Sequence, residues 1–237
     1  MLTKYTGSDQ LVVIPNDAGV TKIGREAFYK CESVLDVVIP EGVTEIGENA
    51  FYDCPVLTAV ILPDSLFEIK RGAFAGSPNL RWLSTEILEV PHGADAIEYI
   101  NENVQRAPMP KSLKKFGFNA FVRTPWLDIM LKNNPFIVIN NILVALDAEA
   151  LKNYLYERKF PQNVTEIADY AFAYPHSYNL FQVHIPDSVT MIRPYAFAFG
   201  WEDTCINPRF KAYYKGKKYT KSQLYDLTQL FPDSRKY

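Results

Sequence analysis

The residues of this chain that could act as nucleophile, base or metal ligand are few and scattered. Histidines stand at 92, 176 and 184, and cysteines at 31, 54 and 205. Catalysis needs a base within hydrogen-bond reach of a nucleophile or of the proton it removes. A metal needs converging ligands at close spacing. No H-E-x-x-H, paired C-x-x-C, P-loop, G-x-G-x-x-G or G-x-S-x-G motif supplies such a grouping. Asp36, Glu45, Glu68 and Glu166 recur at solvent-facing places of a repeated pattern, and His184 takes a strand position held elsewhere by Val38 and Ile61. Asn163-Val164-Thr165 fits the glycosylation acceptor pattern, but Val164 is itself a core anchor, so the match reads as chance. We expect recognition and no enzymatic reaction, with no catalytic residue, no cofactor and no metal. A hydrolase site assembled in residues 84–159 is the least favoured reading, because no nucleophile–base pair stands there.

The elements that must position the surface follow from internal repetition. Six anchor sets share one skeleton, beginning Pro15-Val20-Ile23-Ala27-Phe28, Pro40-Val43-Ile46-Ala50-Phe51 and Pro63-Leu66-Ile69-Ala73-Phe74. They continue as Pro110-Leu113-Phe116-Ala120-Phe121, Pro161-Val164-Ile167-Ala171-Phe172 and Pro186-Val189-Ile192-Ala196-Phe197. The prolines step by 25, 23, 47, 51 and 25 residues, a unit of about 23 with two interruptions. That period signals a leucine-rich-repeat solenoid. Alternation before each proline, as in Leu57-Val60-Leu62, predicts a short strand with one buried face. Proline then ends the ladder, since it has no N–H to donate. A second short extended stretch follows, and an Ala-Phe pair turns inward. Stacked coils should form a phenylalanine column, each ring contributing about 2–3 kcal/mol by leaving water.

Cys31 and Cys54 share one slot three residues after the phenylalanine, where the next repeats have Ser77 and Thr124. Stacking would bring the two cysteines within disulfide range, at ~4.8 Å. The serine and threonine at the same slot favour buried thiols instead.

The first interruption, about 84–110, carries Ala94, Ile97, Ile100 and Val104 at helical spacing with Asp95 near the start, and its 47-residue interval suggests a degenerate coil. The second, about 124–159, opens with a short helix after Pro125 that presents Leu127, Met130 and Leu131. It continues with two strands joined at Asn140-Asn141. Beyond Cys205 we expect a hairpin around Gly216 and a helix capped by Ser222. The predicted domains are a solenoid over 1–206 and a hairpin-plus-helix cap over 207–237.

IPEGVTEIGENAF, LPDSLFEIKRGAF and IPDSVTMIRPYAF resemble the BspA-like leucine-rich repeats of many bacterial surface proteins. The TPWLDIMLKNNPFIVINNILVALD stretch resembles an insert seen among such proteins. The resemblance implies a right-handed, β-rich solenoid, a cell-surface or secreted location and adhesin-like binding of a host or neighbouring-cell protein. It carries over no catalytic residues.

Net charge is −2 with pI near 6.0, so no chain-wide basic field points to nucleic acid, although residues 207–237 are locally basic. No apolar run spans a bilayer. No secretory signal is visible either, which leaves a cytoplasmic adaptor or inhibitor with a bacterial protein partner as the alternative. Solenoids bind through the extended faces that stacking creates. The candidate partner-binding residues are Asp36, Val38, Ala59, Ile61, Arg81 and Trp82 on the outward strand face, and Tyr29 and Tyr52 as a second stripe.

Overall fold

The computed structural model describes residues 1–132, 134–147, 160–172, 182–193, 195–197 and 209–230. By packing, the chain divides into two compact units, Met1–Asn133 and Asn134–Tyr237.

The strands of the first unit are β1 (Leu11–Val13), β2 (Lys22–Ile23), β3 (Asp36–Val38), β4 (Glu45–Ile46), β5 (Ala59–Ile61), β6 (Glu68–Ile69), β7 (Trp82–Ser84) and β8 (Lys115–Phe116). They form two parallel sheets, ordered β1-β3-β5-β7 and β2-β4-β6-β8. In the first sheet Val12, Val37, Val60 and Leu83 align in register, and the last three are fully buried. In the second, Ile23, Ile46, Ile69 and Phe116 align as the inward column.

Proline ends the first strand of each coil as expected. The residue before it still donates to the next coil, as Ile39 N does to the Ile61 carbonyl at 3.0 Å. The proline carbonyl then accepts from the residue three further on, at 3.1 Å for both Leu66 to Pro63 and Leu113 to Pro110. Each Pro-x-x-Val/Leu segment is thus a turned corner.

The Ala-Phe turn is more ordered than the sequence suggests. Residues two before and two after each phenylalanine have positive φ: Glu26 and Lys30, Asn49 and Asp53, Gly72 and Gly76, Asn119 and Arg123. Alternate amides close turns within a coil, and those between them bond to the next coil. Asn49, Phe51 and Asp53 donate to the Arg71, Ala73 and Ala75 carbonyls at 3.0, 2.6 and 2.9 Å. The turn is therefore a third ladder, and it satisfies backbone groups that would otherwise be buried unpaired. This ladder holds the phenylalanines at coil spacing. Centroids lie 4.8 Å apart for Phe28–Phe51, 5.3 Å for Phe51–Phe74 and 5.9 Å for Phe74–Phe121, and the rings are near-parallel. Tyr5 stacks on Phe28 at 5.1 Å, and Leu2 bridges to Ile23. Residues 2–5 are thus part of a further, shortened coil that the Pro15-based repeat count misses.

The degenerate-coil reading of the first interruption is corrected. β7 and β8 are the two strands of one coil, since β7 pairs β5 and β8 pairs β6. Residues 85–109 are an excursion from the proline corner of that coil, closed at its neck by Thr85 N to the Pro108 carbonyl at 2.9 Å. The predicted helix is there as α1 (Ala96–Asn103), with the Asp95 carboxylate accepting from Glu98 N at 2.9 Å. Its apolar face is only partly covered: Ile97 is exposed, Tyr99 and Ile100 are half-buried, and Val104 just after the helix is buried. The helix after Thr124, α2 (Pro125–Lys132), buries Trp126, Leu127 and Leu131, with Met130 half-buried. Trp126 tilts against Phe121 at 4.7 Å.

The second unit holds β9 (Phe136–Ile139), β10 (Ile142–Leu146), β11 (Glu166–Ile167), β12 (Gln182–His184), β13 (Met191–Ile192), β14 (Lys211–Tyr214), β15 (Lys217–Thr220) and α3 (Leu224–Gln229). β9 and β10 form the expected hairpin, with Asn140 and Asn141 both at positive φ. β10, β11 and β13 then run parallel, continuing the repeat pattern. β12 pairs in parallel with β14, which turns through Lys215-Gly216 into antiparallel β15. Phe172 stacks on Phe197 at 4.6 Å. Ser222 is not the helix cap. Thr220 opens the helical segment, and the Gln223 side-chain oxygen accepts from the Thr220 amide at 3.1 Å.

Candidate functional site

Strand alternation sends residues on either side of the buried valines outward, and parallel register lines them into two columns. One runs Leu11-Asp36-Ala59-Trp82 and the other Val13-Val38-Ile61-Ser84. Apart from Asp36 and Ser84, these outward positions are apolar. Exposure is graded along the sheet. Leu11 and Val13 are 58% and 59% exposed, the β3 and β5 residues are half-buried, and Trp82 and Ser84 are buried. The burial of Trp82 corrects its expected exposure. It occupies the predicted slot, but the chain leaving β7 folds back over it. Its indole N–H donates to the Glu86 carbonyl at 2.9 Å, and Ser84 Oγ accepts from Glu86 N at 3.0 Å. Arg81 is half-buried just before β7 and outside the strand. Asp36 is tied sideways, accepting from Thr58 Oγ1 at 2.6 Å.

Tyr29 and Tyr52 form the expected second stripe on the turn ladder, stacked at 5.5 Å with planes 11° apart. They belong to a different ladder from the strand columns. Lys30 Nζ lies 5.5 Å from the Tyr29 ring centre and 3.9 Å from Asp53. Arg123 Nη2 donates to the Tyr52 hydroxyl at 3.2 Å. Gly76 permits that crossing, because a Cβ there would stand 3.3 Å from Arg123 Nη2. Sequence reasoning missed Leu11, Val13 and Arg123. The first two carry a readable signal, alternation before Pro15. Arg123 carries none, since its tyrosine partner is 71 residues away.

Several of the described groups able to do chemistry are tied into the scaffold. Cys54 is buried and donates to the Phe28 carbonyl, while Cys54 N donates to Ser77 Oγ at 3.1 Å. Ser77 Oγ donates in turn to the Phe51 carbonyl at 2.8 Å, and Thr124 Oγ1 to Phe121 at 2.7 Å. In the second to fourth repeats the shared slot thus holds a small hydrogen-bond donor. Burial pushes the Cys54 thiol up to about 12. Cys31 is free and half-buried, which corrects the expectation that both thiols are enclosed. On the second sheet, burial alone would raise the Glu45 carboxyl, but Lys70 at 2.8 Å and Lys22 at 2.9 Å outweigh it and hold it below its ordinary value. Arg193 pairs Glu166 at 2.6 Å. His92 is exposed, and His184 stacks on Tyr213 at 4.5 Å. His176 and Cys205 lie outside the described residues. Among the described residues no group of three metal-ligating side chains occurs, and no helix is long and apolar enough to cross a membrane.

A family model described as the BspA type leucine rich repeat region matches in six copies, over residues 5–128 and 101–200. No curated protein matches. Among solved structures, the chain is similar to a leucine rich repeat protein of T. pallidum at 22% identity, covering 91% of this chain and 73% of that one, TM-score 0.43. It is also similar to a leucine-rich repeat protein from Bacteroides ovatus at 22% identity, covering 86% and 45%, TM-score 0.40. The pneumococcal vaccine antigen PcpA matches at 17% identity, covering 90% and 63%, TM-score 0.35. The chain thus spans less than half the length of the Bacteroides ovatus protein.

Proposed function

We propose, from the premise that this chain belongs to the BspA-type leucine-rich repeat family, that it is a non-enzymatic module binding a protein through the outward face of its first sheet. The observation that carries this reading is the pair of outward columns. A surface sheet that faced only water would alternate apolar-in with polar-out. Here Leu11, Val13, Val38, Ala59 and Ile61 are apolar on the outward side, and the two in β1 are largely exposed. Contiguous exposed apolar surface marks interaction sites. Asp36 supplies the polar group within the patch, and Arg81 lies at its border. Tyr29 and Tyr52 supply a separate aromatic stripe of the kind enriched at interface anchors.

The partner is read as a host or neighbouring-cell protein and the location as the cell surface, both supported by the family resemblance alone. The same resemblance supports a right-handed solenoid. Two contacts support reading the β14–β15 hairpin and α3 as a cap on the repeats: β14 pairs directly with β12, and the Tyr214 hydroxyl donates to the Val189 carbonyl at 2.7 Å.

The test is capture of a partner by tagged wild-type chain from host matrix extract and from its own cell lysate, against the double variant V38K/I61K. Both changed positions are outward and half-buried, so the variant should keep its circular dichroism spectrum while retention drops at least tenfold. Equal retention by a folded V38K/I61K chain would remove the strand face from the proposal. Protease shaving of intact cells checks the location, with loss of the chain expected.

A further inference from the structure

We propose that the outward face of the β12-β14-β15 sheet is a docking surface for an acidic polysaccharide, engaged by Lys211 and Lys218 around Tyr213. Residues 209–230 carry six cations (Arg209, Lys211, Lys215, Lys217, Lys218 and Lys221) against one acid, Asp226, a balance of +5 in a chain whose net charge is −2. Register sorts these residues by face. Val183, Ala212 and Tyr219 align and are buried, whereas Gln182-Lys211-Thr220 and His184-Tyr213-Lys218 align on the outward side. Several lysines and arginines of the repeats are neutralised from coil to coil, as Lys22 and Lys70 are by Glu45 and Arg71 is by Glu48. Among the described residues, neither Lys211 nor Lys218 has a carboxylate partner. Lys215 and Lys217 at the hairpin tip lie instead beside the buried-side Tyr214 and Tyr219 rings, at 5.1 and 5.0 Å, which leaves Lys211 and Lys218 as the lysines of the outward face.

The anion that fits is defined by what the face lacks. Single-stranded nucleic acid binds by stacking bases on open aromatic faces. His184 and Tyr213 are instead stacked on each other at 4.5 Å, so each has lost a ring face to the other and offers its polar atoms. An acidic peptide would bind most simply by adding a strand to the β15 edge. The Thr220 amide of that edge is already taken by Gln223, and charged lysines at an edge discourage pairing. What remains is a pair of ammonium groups, Lys211 and Lys218, beside the amide of Gln182 and the phenol of Tyr213. The sheet spaces these groups by ~4.8 Å across strands and ~6.8 Å along them. Regularly repeated carboxylates or sulfates on a sugar chain would engage several at once.

The experiment is binding of the whole chain to immobilised heparin, a sulfated and uronate-bearing glycan, at about 0.15 M salt. The double variant K211Q/K218Q is compared with K114Q/K132Q, which removes the same charge from the first unit. Binding should weaken about five- to tenfold in K211Q/K218Q, the sum of two exposed charge contacts, and stay unchanged in K114Q/K132Q. Circular dichroism reports that both variants are folded. The proposal is overturned if wild type is not retained, if both variants lose binding equally, or if single-stranded DNA or polyglutamate binds more tightly than heparin.

Discussion

The slot three residues after the phenylalanine shows how much one position is asked to do. In the second to fourth repeats its side chain is small, enclosed and donates to a carbonyl at the turn, as Cys54, Ser77 and Thr124 all do. Ser77→Ala removes both the donor to Phe51 and the acceptor for the Cys54 amide, leaving two buried backbone groups unpaired. The expected loss is about 1–3 kcal/mol by urea denaturation. A change near zero would mean that water replaces the hydroxyl. At Cys54 the thiol loses its proton near 9 when unfolded and at about 12 when folded. The unfolded state therefore holds fewer protons between those values, and folding stability must fall as pH rises through that window. The fall should be steeper in wild type than in Cys54→Ser, which has no thiol to titrate. Below pH 9 the two slopes should coincide. A thiol reagent at neutral pH should label Cys31 in the folded chain and reach Cys54 only on unfolding.

Among the elements, the excursion over residues 85–109 departs furthest from its sequence reading. An interval twice the repeat looks like a coil with a damaged pattern. The strand pairing shows instead one coil opened at its proline corner and clasped by Thr85 and Pro108. α1 matches its predicted helical spacing yet has no fully buried residue, because periodicity reports a helix with an apolar side and says nothing of what stands opposite it. Replacing residues 88–103 with a short Gly-Ser linker should therefore be mild. The unfolding midpoint is expected within about 4 °C of wild type by calorimetry, since about 1 kcal/mol moves a chain of this size by roughly that much. A far larger drop would show that α1 carries packing that its exposure conceals. Glu86 is kept in this variant because it covers Trp82.

At the scale of the molecule, stability in a repeat array comes from neighbouring coils. Phe51 sits fully buried between Phe28 and Phe74 and touches both rings. Phe51→Ala should cost about 3–5 kcal/mol, through lost apolar burial and a cavity open to two neighbours. Amide hydrogen exchange should show the largest loss of protection in residues 23–75 and less in the coils further along the first unit. A loss below about 1 kcal/mol would contradict the stacked core.

The repeat itself was legible in the one-dimensional chain. Prolines, valines, isoleucines and the Ala-Phe pair recur at a fixed interval, and each is required by a local rule that holds wherever the residue stands: a proline cannot donate, a valine on one side of a strand is buried, a phenylalanine fills a coil. The hairpin at Asn140-Asn141 was legible for the same reason, because asparagine tolerates the left-handed conformation locally. Only the tertiary structure decided which outward residues reach solvent. Trp82 and Val13 both occupy outward slots, yet one is enclosed by its own downstream chain and the other is open. It also decided that the turn is a third ladder and that Arg123 crosses Gly76 to Tyr52. Core positions are set by the residue and its immediate period. Surface positions depend on which distant segment comes to lie over them, and that contact exists only once the coils have stacked.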